Sequence, residues 1–180
     1  PPPPSRLFVT VGTTQFDALV DVVDSDSFAD AVAARGFTAV VLQLGTGERT
    51  PSCAGVEDSA CGMRWAYTRR GVEFAAYRLK PSIAADTAAA DAVVSHAGAG
   101  SVFETLRAGK PLLVVTNDKL QGNHQVELAR AMADLRCLQY CTPAALVATF
   151  TSWELRAPPA DAVPPPDLAG FGRILREAIE

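Results

Sequence analysis

Two short stretches combine small residues with hydrogen-bonding groups in a way that suits an anion. Gly12-Thr13-Thr14-Gln15 follows one apolar run, and Ser95-His96-Ala97-Gly98-Ala99-Gly100-Ser101 follows another. Glycine and alanine let a ligand approach the backbone closely. A helix starting within such a stretch aims unpaired N–H groups and the positive end of its dipole at that ligand. A diphosphate is the natural occupant. The hydroxyls of Thr13, Thr14 and Ser101 add donors, and Ser101 can also cap its helix. His96 can donate to a phosphate oxygen. Taken alone, His96 also fits a structural histidine tied to a carbonyl, and Gly12–Gln15 also fits an ordinary strand-to-helix turn.

Glu104 follows Ser101 by three residues. A carboxylate beside a phosphate site is electrostatically poor unless it binds something else, and its spacing suits the two hydroxyls of a ribose. A capping-box glutamate folding back on the helix start is the other reading. Further on, Asn117 to Gln125 is dense in amides. Amides offer donors and acceptors together, which fits an uncharged sugar, with Asn123, His124 and Gln125 as candidates; a polar loop capped by Asn123 fits too. Tyr77-Arg78-Leu79-Lys80-Pro81-Ser82 could hold a flat base by its edge, or be a plain connecting turn.

These stretches need strands and helices to bring them together. Short apolar runs at Leu7–Val11, Ala39–Leu44, Val72–Tyr77, Ala92–Ser95 and Pro111–Val115 read as buried strands, with Leu138–Tyr140 as a short last one. Helical spacing falls on Phe16–Val23, Phe28–Ala34, Ser82–Ala90, Gly100–Ala108 and Gly122–Ala133, and Thr142-Pro143 opens another helix. Gly45 to about Arg70 is rich in Gly, Ser, Thr and charge and reads as one long loop. The alternation predicts an α/β fold: a Rossmann-like parallel sheet with helices on both faces. Ligands of such sheets sit at the carboxyl ends of the strands. The expected layout is a binding domain over residues 1–155, a Pro-rich linker over 156–166 and an amphipathic helix over 167–180. That last helix would carry Leu168, Phe171, Leu175 and Ile179 on one face, a surface for a partner.

With 48% hydrophobic residues, the 180-residue chain is globular rather than disordered. A net charge of -4 argues against a general nucleic-acid binder, which needs a basic surface. No apolar run is long enough to span a bilayer, and Pro1–Pro4 leads into Leu7–Val11 without a leader pattern, so a cytosolic protein is expected. Cys53, Cys61, Cys137 and Cys141 lack metal-site spacing and read as reduced thiols. No DxD-like pattern lies near the phosphate stretches, and neither metal nor cofactor is expected. A nicotinamide-dependent dehydrogenase is disfavoured: Gly12-Thr13-Thr14 is a poor GxGxxG, and Leu42-Gln43-Leu44 offers no acid for a ribose.

The segments RLKPSI, SHAGAGS, ETLRAGKPLLVV and NHQVELA, with LFVTVGTTQF near the start, resemble the cytosolic catalytic subunit of the eukaryotic dolichol-pathway GlcNAc transferase. That family in turn resembles the C-terminal half of the bacterial transferase that adds GlcNAc to the lipid-linked cell-wall precursor, a GT-B enzyme with two Rossmann-like halves. The resemblance implies an inverting transfer from UDP-GlcNAc to dolichyl-diphospho-GlcNAc at the cytosolic face of the endoplasmic reticulum. It implies that a separate membrane-anchored subunit carries the acceptor site. It places the diphosphate on Gly12, Thr13, Thr14 and Gly98–Ser101, which includes Ala99 and Gly100. It puts the ribose on Glu104, uracil on the backbone around Leu79, and the sugar on Asn123, His124 and Gln125. His96 is the one titratable candidate beside the diphosphate, for binding before proton transfer. An acceptor phosphate oxygen is the expected nucleophile. A nucleotide-binding or scaffold subunit without transfer activity is the alternative.

Overall fold

The structure, a computed structural model, describes residues 5–52, 55–59, 62–117 and 124–159. Side chains are described from residue 65 in the second of the two early antiparallel strands and from 126 in the helix that opens at residue 124.

The first apolar run forms β1 (Arg6–Thr10), and α1 (Asp17–Val23) and α2 (Asp26–Ala34) lead to β2 (Ala39–Gln43). Ser25 caps α2 by accepting the Phe28 N–H. Then come β3 (Gly55–Ser59), β4 (Gly62–Arg69) and β5 (Val72–Tyr77). α3 (Ala84–Ala89), β6 (Ala92–His96), α4 (Ala99–Arg107) and β7 (Leu112–Val115) follow. α5 (His124–Asp134), β8 (Gln139–Cys141) and α6 (Leu146–Ser152) complete the described elements. A short 3₁₀ turn over Pro143–Ala145 leads into α6.

The strands form one sheet in the order β3-β4-β5-β2-β1-β6-β7-β8. Six of them, from β5 to β8 in that order, run parallel. Leu7 and Val9 point into one core with Leu19, Phe28, Leu146 and Phe150, under α1, α2 and α6. Phe8 points into the other with Val102, Leu106, Leu128 and Met132, under α4 and α5. Burial on both faces is why these strands read as unbroken apolar runs. Phe150 closes the first core, its ring 5.2 Å from Phe28 and 5.8 Å from Trp153.

The segment expected to be one long loop, Gly45–Arg70, instead supplies two antiparallel strands at the edge of the sheet. Its composition misled because only one face of β4 meets the core over residues 65–69. Trp65 is buried and Tyr67 stacks on Phe74 at 5.0 Å, whereas Ala66 and Thr68 are exposed. That is the period-two pattern of a half-buried strand. Arg70 and Gly71, both at positive φ (50° and 78°), make the tight turn into β5. The hairpin is also tied to the α1–α2 corner. Asp24 accepts the Tyr67 hydroxyl at 3.0 Å and pairs with Arg69 at 3.2 Å, while Arg69 reaches Asp26 at 2.9 Å.

Arg156–Pro159 carry no helix or strand. The rest of the expected linker, the C-terminal helix with Leu168, Phe171, Leu175 and Ile179, and also Cys53, Cys61 and Asn123 lie outside the described residues. No helix among the described residues is long and apolar enough to cross a membrane.

Candidate functional site

β1 connects to β2 on one side and β6 lies on the other, so the chain direction across the sheet reverses between β1 and β6. That switch point opens a crevice at the carboxyl ends of the strands. A cavity of about 470 Å3 lies there, with Gly12 and Thr13 on one wall and Gly98, Gly100, Ser101 and Glu104 on another. Gln43 and His96 form its floor, and Lys80–Ile83 the remaining side.

The turn after β1 is held from within. Gly12 has φ +65°, a conformation glycine adopts without strain. Its N–H donates to the Thr10 hydroxyl at 2.9 Å, and that hydroxyl donates to Gln43 Oε1. The Thr14 hydroxyl donates to the Val11 carbonyl at 2.9 Å. Helix α1 starts at Asp17, one residue after the expected Phe16, so its N-terminus lies beyond the Gly12–Gln15 turn. Thr13 lines the cavity; Thr14 is not among its lining residues.

The second loop behaves differently. Gly98 is the N-cap of α4, and no side chain caps that end. The N–H groups of Ala99, Gly100 and Ser101 are therefore the unpaired donors of the first turn. Glu104 lies three residues beyond the third helical position, so the capping-box reading fails on register. Its carboxylate makes no hydrogen bond or ion pair among the described residues and lines the cavity.

His96 ends β6 and is 7% exposed. Its ring fills the space between the two glycine turns: a Cβ built on either Gly12 or Gly98 would overlap ring atoms. Burial holds the imidazole pKa below its ordinary value, with the Thr10 backbone opposing that shift in part. Nδ1 is buried with no hydrogen-bond partner within bonding geometry. Burial thus favours the neutral ring, and positive charge at the cavity comes from the N-terminus of α4 and from the Lys80 ammonium, which is paired with Asp86.

On the far side, Leu79 is 45% exposed and its side chain is outside the cavity wall. The segment beside it is rigidly placed. Lys80 Nζ pairs with Asp86 at 2.7 Å and sits 4.0 Å over the Tyr77 ring, and the Tyr77 hydroxyl donates to Asp86 at 2.6 Å. Arg78 donates to the Gly47 carbonyl and stacks over Trp65. Helix α3 begins at Ala84, two residues after the expected Ser82, so Lys80–Ile83 stays an irregular segment that lines the cavity. Of the amide stretch, His124 and Gln125 open α5, directly beyond β7. Gln43 was missed as a site residue because it sits inside the apolar run Ala39–Leu44; an amide in a fully buried strand was the available signal.

The glycosyltransferase family 28 C-terminal domain matches residues 6–160. The chain belongs to that family. Human UDP-N-acetylglucosamine transferase subunit ALG13 is 40% identical over 136 residues, which is 76% of this chain and 11% of the human protein. The chain thus spans about a tenth of that relative's length. The protein of the same name from Saccharomyces cerevisiae is 32% identical over 160 residues, covering 76% of this chain and 77% of its own. An NMR solution structure of ALG13 superposes with a TM-score of 0.66 at 26% identity, covering 95% of this chain and 94% of that one. Acinetobacter baumannii MurG shares the fold, with a TM-score of 0.54 at 15% identity, over 84% of this chain and 40% of MurG. The family 28 fold here is a mostly parallel sheet extended by the antiparallel β3–β4 hairpin.

Proposed function

We propose that this family 28 domain is the donor-binding, catalytic part of a split transferase that moves GlcNAc from UDP-GlcNAc to dolichyl-diphospho-GlcNAc. The observation that carries this reading is the uncapped N-terminus of α4 facing the Gly12–Thr13 turn across one cavity at the switch point of the sheet. The names of the relatives supply the sugar nucleotide and the word subunit.

In this reading, α4 N–H groups and Ser101 hold the diphosphate, with Thr13 opposite. Glu104 accepts from the ribose hydroxyls. The backbone of Lys80–Ile83, beyond Leu79, reads the base edge. His124 and Gln125, with Asn123 before them, meet the sugar. Transfer breaks the bond between the sugar's anomeric carbon and the β-phosphate oxygen. The electron pair leaves on UDP, where donors fixed in advance stabilise the growing charge.

The expected phosphate nucleophile conflicts with the product. A chitobiosyl lipid joins sugar to sugar, so a hydroxyl of the acceptor GlcNAc attacks and must lose its proton. Lys80, His96 and Glu104 are the titratable side chains among the described residues that line the cavity; Lys80 pairs with Asp86, His96 packs between the two glycine turns, and this reading gives Glu104 to the ribose. In this reading the proton acceptor belongs to a membrane-anchored partner that carries the acceptor site at the cytosolic face of the endoplasmic reticulum, a role that the word subunit in the relatives' names supports.

The test is transfer of labelled GlcNAc from UDP-GlcNAc to dolichyl-diphospho-GlcNAc, with this chain alone and with membranes containing the candidate partner. Transfer only with both is the expected result. UDP-GlcNAc binding without transfer in either case would instead support a nucleotide-binding or scaffold subunit. Absence of binding would overturn the site.

A further inference from the structure

Gln43 ends β2 and is 2% exposed, yet it forms part of the cavity floor. Its Oε1 accepts the Thr10 hydroxyl, whose oxygen takes the Gly12 N–H. Its backbone carbonyl accepts the Val11 N–H at 3.2 Å. Both the side chain and the main chain of Gln43 thus fix the turn after β1. This network also sets the amide orientation, since it gives the Thr10 proton an oxygen to meet. The amide Nε2 is left without a hydrogen-bond partner among the described residues. Nε2 is not one of the solvent-inaccessible polar atoms that lack a partner among the described residues, so this donor is open to the cavity that Gln43 lines and can meet an acceptor on a ligand there.

The sheet order decides which part of a ligand it would meet. β2 lies between β1 and β5, so Gln43 sits between the Gly12 turn and the Lys80–Ile83 segment, on the other side of β1 from α4. We infer that Gln43 is a donor-site residue with two roles. Oε1 positions the Thr10–Gly12 turn, and Nε2 donates to an oxygen of the bound nucleoside diphosphate at its ribose and α-phosphate end. This rests on the nucleotide reading of the cavity.

The experiment is a UDP titration followed by NMR, in which the Gln43 side-chain NH2 signals are read directly in the wild-type chain. They shift and saturate on the same curve as UDP binding measured by calorimetry. In parallel, Gln43→Met weakens UDP about ten-fold more than Thr10→Val, the worth of one further hydrogen bond. Thr10→Val loosens the turn and keeps the amide donor, so a purely structural Gln43 would give equal losses in the two variants. Static NH2 signals during UDP binding, or equal losses, overturn the inference. A loss for Glu104→Ala with none for Gln43→Met removes Gln43 while leaving the cavity reading intact. No UDP binding by the wild type overturns both. Should Gln43→Met fail to fold, the wild-type titration decides.

Discussion

A side-chain carbon on Gly98 would run into Nε2 of His96. The backbone at Gly98 does not itself demand glycine, because its φ is -80°. The imidazole demands it. Gly12 meets the same ring from the other loop, with its positive φ as a second constraint. The ring therefore sets the spacing between the Gly12 turn and the start of α4. Gly98→Ala should force the ring or α4 to move, costing about 1–3 kcal/mol in stability as an overpacked contact. UDP affinity should fall with it. Gly100→Ala meets open space and should leave stability nearly unchanged. Urea unfolding and calorimetric UDP binding of both variants check this; equal stability losses would remove His96 as the spacer.

His96 also gives the fold a pH dependence of known sign. Its folded pKa lies below its ordinary value of 6.5, because burial disfavours the charged ring. Below about 6.5 the unfolded chain takes up a proton that the folded ring refuses, so the unfolded state gains as the pH falls. The contribution is fully present above that pH and is lost as pH drops from there toward the folded pKa. Denaturation midpoints measured from pH 7.5 to 5 should decline, and His96→Gln should flatten that part of the decline. An unchanged slope in the variant would mean that other groups account for it.

The parallel strands were legible because burial on both faces writes a strand as a continuous apolar run, as at Ala39–Leu44 and Ala92–Ser95. The β3–β4 hairpin was not, because in β4 buried Trp65 alternates with exposed Ala66 and Thr68 and the charge of Arg69 is met by Asp24 and Asp26, far away in sequence. Within the site, the glycines announced close approach, but the object approached was the ring of His96 itself. Gln43 was hidden by its apolar neighbours. The exact start of α1 escaped too: Phe16 fits the helical spacing yet stays outside as the N-cap.

Glu104 should show its role through a paired substitution. If its carboxylate accepts from the ribose hydroxyls, Glu104→Ala loses about 1.5–3 kcal/mol of UDP binding, the worth of hydrogen bonds to a charged group. The same variant should bind 2′,3′-dideoxy-UDP as well as the wild type does, since that ligand already lacks the partners. Calorimetry on the four combinations gives the coupling directly. An equal loss for both ligands would mean that Glu104 acts through the fold or the overall field.

The Arg69 clamp predicts a stability cost remote from the cavity. Its side chain is 12% exposed and that of Asp24 10%, so this is a largely buried pair. Asp24 also accepts the Ser52 N–H at 2.7 Å and the Tyr67 hydroxyl. Removing the guanidinium strands a buried carboxylate, which typically costs about 3–5 kcal/mol. The hairpin then keeps its ladder to β5 but loses its tie to the α1–α2 corner. Arg69→Ala should therefore lower the melting temperature by roughly 2–4 °C per kcal/mol lost, as expected for a domain of this size. Adding Asp24→Asn to that variant should restore part of the loss, because it removes the stranded charge and leaves an amide for Tyr67 and Ser52. A double variant no more stable than Arg69→Ala alone would show that the cost lies in lost packing of the arginine stem over Tyr67, whose ring centroid is 5.9 Å from the guanidinium, rather than in the charge.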